Sequence, residues 1–176
     1  MRYPQLYDQL VLQSPPEGFE PHQYSRTFIV KATQEQVWIW LNTPETFTKG
    51  QVWPYRVEFV SPDPVHIPAD FSQGVLNVHH GPLMSFAGVL TDIQPDTYRD
   101  IRYFYGSYFL SMRWIRPTRL QFWLEGKGAQ TEVKVQIDSF AKPFIAGFWT
   151  WAQGLFWGQF GRLSRKAAKV SIGHEQ

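Results

Sequence analysis

The chain has 176 residues, of which 43% are apolar and 18% charged, a balance that supports one domain with a substantial core and excludes wholesale disorder. It has no Cys, so disulfides, thiolate catalysis and Cys-based zinc sites are excluded. A formal charge of +2, with no aromatic-basic RNA motif, argues against a nucleic-acid partner.

Residues 1–23 contain Pro4, Pro15, Pro16 and Pro21 and read as an irregular N-terminal arm, with residues 24–176 as the domain proper. The opening "MRYPQLYDQLVLQ" carries Asp8 and no long apolar run, so it does not read as a signal peptide, and a cytoplasmic protein is expected. "YSRTFIVKA" (24–32) reads as a strand. "TQEQ" follows, with Thr33 as cap and Gln36 three places on, the pattern of a capping box. Val37, Trp40 and Leu41 share one face of the helix this predicts. Pro44 disfavours helical geometry at Thr43, so a second short helix is expected to start at Thr43-Pro44-Glu45.

Strands are then expected at 55–60, 71–80, 85–93, 98–105, 118–125 and 131–140, with turns at Gly81-Pro82 and Pro95-Asp96. The last two strands, joined by "GKGAQ", make the clearest hairpin. Leu120, Phe122 and Leu124 share one side with Val133, Val135 and Ile137, while Gln121, Glu125, Lys134 and Gln136 face the other with Trp123. Such alternation describes an antiparallel sheet with one wet face. Residues 106–117 read as an extra strand or an extended bulge.

The chain closes on an aromatic helix. Between Lys142 and Arg162 lie 19 uncharged residues, seven of them Phe or Trp. Ile145, Trp149, Ala152, Phe156, Phe160, Leu163, Ala167 and Val170 form one stripe at helical spacing, which continues past the charges that start at Arg162. That continuation favours a core helix over a membrane span. Phe144, Phe148, Trp151 and Leu155 make a second apolar face, and Gly147, Gly154, Gly158 and Gly161 a third. The second face either packs under 106–117 or the arm, or forms with the basic helix end a patch for a membrane surface or partner.

Two short stretches hold the candidate chemistry. His79 and His80 are neighbours on a strand and point to opposite faces, so they cannot chelate one metal together, and no metal is expected. In "YRDIRYFY", an inward Ile101 brings Tyr103 and Tyr105 with it and leaves Asp100 and Arg102 to water. The opposite register would bury Arg102 and favour an anionic ligand group. No phosphate loop, dinucleotide fingerprint or Ser-His-Asp motif is present, and no cofactor is expected.

The order of strand, short helices, strand meander and long terminal helix resembles the START-like (SRPBCC) superfamily of Bet v 1-type and polyketide cyclase/dehydrase-like helix-grip domains. The stretches that carry the likeness are "TFIVKATQEQVWIWLNTPETF", "WPYRVEFV", "VHHGPLMSFAGVLTDIQP" and "FWLEGKGAQTEVKVQI". The resemblance implies an α+β fold in which a curved antiparallel sheet wraps the last helix, with two short helices after the first strand. It also implies a cavity for a small hydrophobic ligand such as a lipid, isoprenoid or polyketide-like aromatic. On this reading Tyr103, Tyr105, Phe122, Trp149 and Phe156 line the cavity and His79 sits at its polar end. The alternatives are a cyclase- or dehydratase-type enzyme using an inward His and Tyr, and a surface-docking domain using Phe144, Phe148 and Trp151.

Overall fold

A computed structural model of the chain describes residues 14–43, 56–63, 65, 71–81, 84–108 and 114–172. Its elements are β1 (Glu20–Val30), α1 (Gln34–Asn42), β2 (Arg56–Val60), β3 (Leu76–Gly81), β4 (Met84–Gln94), β5 (Tyr98–Tyr108), β6 (Ile115–Gly126), β7 (Thr131–Ala141) and α2 (Pro143–Ile172). The strands form one antiparallel sheet in the order β1-β7-β6-β5-β4-β3-β2. Only β1 breaks the sequential meander, crossing to pair with β7. The result is the expected α+β helix-grip architecture.

The β6–β7 hairpin behaves as its alternation predicts. Phe122, Val133, Val135 and Ile137 are buried together, with Leu120 and Leu124 beside them. The strand β1 starts earlier than its sequence suggested. Residues 20–23, read as part of an irregular arm, pair with Ala141 to Asp138. Pro21 is tolerated there because β1 is an edge strand. Residues 1–13 of that arm lie outside the described residues. So does the expected second short helix, beyond Thr43.

The segment 106–117 is no separate element where it is described. Gly106–Tyr108 prolong β5 and Ile115–Pro117 prolong β6. Pro117 breaks the β6–β7 ladder at a register shift, the usual place for proline inside a sheet.

The capping box at α1 is complete. The Gln36 amide donates to Thr33 Oγ1 at 3.3 Å, and the Thr33 amide donates to Gln36 Oε1 at 3.1 Å. Gln34 ties the helix to the sheet, donating to the carbonyls of Asp96 (2.7 Å) and Leu124 (3.3 Å) and accepting from the Gly126 amide at 2.9 Å. Val37 and Leu41 are the buried face.

The helix α2 lies along β1. His22 meets Thr150 Oγ1 at 2.8 Å, Arg26 donates to the Gly154 carbonyl at 2.7 Å, and Phe28 meets the Phe160 ring edge-on at 6.3 Å. Thr150 beside His22, Gly154 beside Tyr24 and Gly158 beside Arg26 keep step, because two strand residues rise about 6.6 Å and four helix residues about 6 Å. The glycine face explains itself here. A Cβ at Gly158 would come within 3.1 Å of the Arg26 guanidinium, and one at Gly154 within 3.7 Å of the Tyr24 hydroxyl.

That seat rotates the helix relative to its apolar wheel. The inward positions in the middle of α2 are Gln153 and Trp157, both buried; Ala152 packs partly buried against the Trp149 cluster, and Phe156 does not face in. A glutamine is acceptable inside because Trp157 Nε1 donates to its Oε1 at 2.7 Å. Phe156 is turned out and 53% exposed. Among the described residues no helix is long and apolar enough to cross a membrane.

Candidate functional site

Parity along β5 builds the inner wall. Arg99, Ile101 and Tyr103 all point into the sheet's concave side and are buried. From β3, Asn77 and His79 join them, and from β4, Phe86. The His79 ring stacks on Phe86 at 4.2 Å, and Tyr103 stands edge-on to both, 4.9 Å from Phe86 and 6.2 Å from His79. His79 Nε2 donates to Asn77 Oδ1 at 2.6 Å, which places the proton on that nitrogen and leaves Nδ1 as an acceptor. His80 points the other way, is exposed, and lies 3.5 Å from Glu58.

Burial sets the protonation of this wall. His79 is enclosed by its neighbours although part of its surface stays accessible, and desolvation, with a smaller push from His80, lowers its pKa to about 3. It is neutral at physiological pH. Burial pushes the Tyr103 phenol far up, so it stays protonated as a donor. Arg99, lowered to about 9 by the same cause, remains a cation at neutral pH.

Arg99 is the residue that sequence reasoning missed. The favoured register put Ile101 inside, and the same parity puts Arg99 inside two residues earlier. Its guanidinium lies between the rings of Phe71 (4.6 Å) and Phe122 (4.7 Å). Its Nη1 donates to the Leu41 carbonyl at 2.6 Å and to Asn42 Oδ1 at 3.2 Å. A cation at the C-terminal end of α1 is favourably placed toward the helix dipole and the last carbonyls. Burying an arginine here is tolerable because the helix end supplies acceptors for Nη1 and two rings flank the guanidinium.

The structure brings His79, Tyr103 and Phe122 into one connected core, joined by Phe86 and Arg99. Trp149 is buried elsewhere, in a second cluster with Ile115 and Ala141, and its Nε1 donates to Ser139 Oγ at 3.0 Å. Tyr105 and Phe156, expected to face inward, do not. Tyr105 is 55% exposed. A bulge reverses its direction: Tyr103 pairs with Gly88 and Tyr105 with Ala87, so Phe104 is an extra residue and parity flips after it. Gly106 completes the bulge at φ 109°, where a Cβ would fall 2.0 Å from the Ser85 carbonyl oxygen.

Asp100 also departs from expectation. It sits on the outer face, as the register required, yet it is buried. Arg119 grips it with two bonds (2.8 and 3.1 Å), Arg102 adds one at 3.2 Å, and Thr91 Oγ1 donates at 2.8 Å. The carboxylate thus ties β4, β5 and β6 together. Beyond it, Tyr98, Trp123 and Lys134 line an open groove of about 510 Å³, with the Lys134 ammonium 5.0 Å from the Trp123 ring. That groove is on the face opposite His79. Among the described residues no three His, Cys, Asp or Glu side chains cluster as a metal site would need.

No family model matches the chain, and no curated relative matches it by sequence. Solved structures do match in shape. Norcoclaurine synthase from Thalictrum flavum, in complex with dopamine and hydroxybenzaldehyde, aligns with a TM-score of 0.61 at 11% identity, covering 94% of this chain and 97% of that one. The protein SA2116 from Staphylococcus aureus gives 0.63 at 8% identity, covering 88% and 98%. DynU16, from the dynemicin biosynthetic locus, gives 0.58 at 16% identity, covering 89% of this chain and 49% of its own. The fold is the START-like helix-grip fold. At these identities the likeness speaks for the fold alone.

Proposed function

We propose that the protein binds a small amphipathic molecule against the inner wall formed by β3, β4 and β5. One observation carries this reading. The buried phenol of Tyr103 and the imidazole of His79, whose Nε2 is held by Asn77 and whose Nδ1 is left as an acceptor, stand together in a wall of rings. A phenol donor and an imidazole acceptor beside Phe86 suit a ligand that is largely aromatic or aliphatic and carries a hydroxyl or carbonyl group. The similarity to norcoclaurine synthase, solved with two aromatic compounds, supports a ligand of that character.

A carrier role fits the wall better than catalysis. An imidazole held neutral down to about pH 3 is a weak base, whereas proton transfer near neutrality favours a pKa near the working pH. The second reading, a cyclase- or dehydratase-type enzyme, rests on His79 and Tyr103 sharing one wall within 6.2 Å. In that case Tyr103 is the proton donor and His79 positions the substrate through Nδ1. His79→Gln and Tyr103→Phe variants that retain full turnover eliminate it.

Mass spectrometry of the purified protein, native and then after organic extraction, tests the first reading. A co-purifying apolar compound near one per chain is the expected result. With that compound, or with the dye 1-anilinonaphthalene-8-sulfonate, Tyr103→Phe lowers affinity roughly ten-fold by removing one hydrogen bond. An empty protein that also shows no saturable dye binding overturns the reading.

A further inference from the structure

The last helix has a second apolar face that the core does not use. Phe144 is 68% exposed, Phe148 45%, Trp151 59% and Leu155 52%. At about 100° per residue these four positions fall within roughly 60° of one another. Trp149, Gln153 and Trp157 are turned to the core instead. The rings on the outer face touch: Phe148 and Trp151 lie 5.5 Å apart, and Trp114, itself exposed, meets Phe144 edge-on at 5.8 Å. Isolated exposed apolar residues need no explanation, but a contiguous aromatic strip does.

The sequence of the helix then repeats the strip in another chemistry. Eighteen residues make five full turns, so in the sequence Arg162, Lys166 and Lys169 recur at the helical positions of Phe144, Phe148 and Trp151. By position, the aromatic line of the first half of α2 is continued by basic residues in the second. From Pro143 to Ile172 there is no Asp or Glu, and there are four basic residues. The whole chain carries only +2, so the remainder is net acidic. The positive charge is concentrated on the same element as the exposed rings.

We propose that this edge of α2 docks the protein on an anionic lipid surface. Rings with an apolar body settle at the headgroup boundary, and an aligned basic segment adds attraction to acidic headgroups. The strip from Phe144 to Lys169 runs about 37 Å, long enough to lie in the interface plane. A protein partner of ordinary surface composition gives no reason for cations to continue the aromatic line without a single acid among them. The inference stands apart from the ligand reading, because the strip faces away from the His79 wall.

Flotation of the full chain with vesicles tests it. Vesicles of phosphatidylcholine alone are compared with vesicles in which about a quarter of the lipid is phosphatidylglycerol. The protein is expected to float with the acidic vesicles and to be released by high salt. Trp151→Asp lowers the bound fraction about ten-fold while its thermal melt stays at the wild-type temperature, since the side chain is exposed. The double variant Lys166→Glu with Lys169→Glu removes the preference for acidic lipid. Wild-type protein that stays in the aqueous fraction overturns the proposal, as does wild-type flotation by Trp151→Asp. Equal binding to both vesicle types overturns its electrostatic half. If Trp151→Asp instead splits a dimer and no vesicle binding is seen, the face belongs to a second copy of the chain and the lipid assignment is wrong.

Discussion

Acid should weaken this fold through His79 in a way that a single substitution can isolate. In the unfolded chain the imidazole takes up a proton as pH falls through 6.5, whereas in the folded chain it does so only near 3. Protonation therefore favours the unfolded state across that window, and stability is lost as pH drops. Integrated from about pH 7 to about pH 4.5, the linkage amounts to at most about 2.5 kcal/mol. The part of the ring that still meets solvent brings the expectation down to about 1.5 kcal/mol. His79→Gln removes the titration and retains an amide that can donate to Asn77 Oδ1. Urea unfolding of both proteins at the two pH values gives the answer. Wild type should lose about 1.5 kcal/mol more than the variant on acidification, because every other titrating group is common to both and cancels. Equal losses would refute the reasoning, and so would a His79 ring proton that titrates near 6.5 in the folded protein.

Other perturbations separate the structural elements. Asp100→Asn leaves Arg102 and Arg119 facing a neutral amide across three strands; both arginines are about a third exposed, so a loss of about 2 kcal/mol is expected by chemical denaturation. Gly106→Ala forces a Cβ onto the Ser85 backbone at positive φ and should cost at least about 3 kcal/mol, whereas Gly128→Ala, with positive φ but open space around it, should cost about 1 kcal/mol. Thermal melts of the pair distinguish the bulge from an ordinary turn. Thr33→Ala breaks one arm of the capping box and should lower stability by about 1 kcal/mol in the same assay.

The sheet was legible wherever alternation ran unbroken. The β6–β7 hairpin needed nothing but period two, and the α1 cap needed only Thr33 and Gln36 at the right spacing. Tyr105 escaped because a bulge inserts one residue and reverses every side chain after it. The signal was nonetheless present, since Gly88 and Gly106 sit on facing strands where β4 and β5 approach too closely for a Cβ. The start of β1 was hidden by Pro21, which an edge strand accommodates and a central strand would not.

The hardest positions were polar residues that belong inside. An apolar wheel rejects Gln153 and so turns α2 by one residue, putting Phe156 where Trp157 lies. Arg99 was passed over although its parity matched Ile101, because an inward arginine looks costly until its acceptors are known. In both cases the compensation is non-local or side-chain specific: an indole four residues on for Gln153, a helix end 58 residues away for Arg99. Periodicity reports which positions share a face, but only the assembled neighbours decide whether a polar group on that face is satisfied. The same logic identifies Tyr103 and His79 as the place to look for a ligand. On that inner face Asn77 accepts from His79 Nε2 and Arg99 meets the end of α1, while the Tyr103 phenol and the His79 imidazole stand side by side among rings.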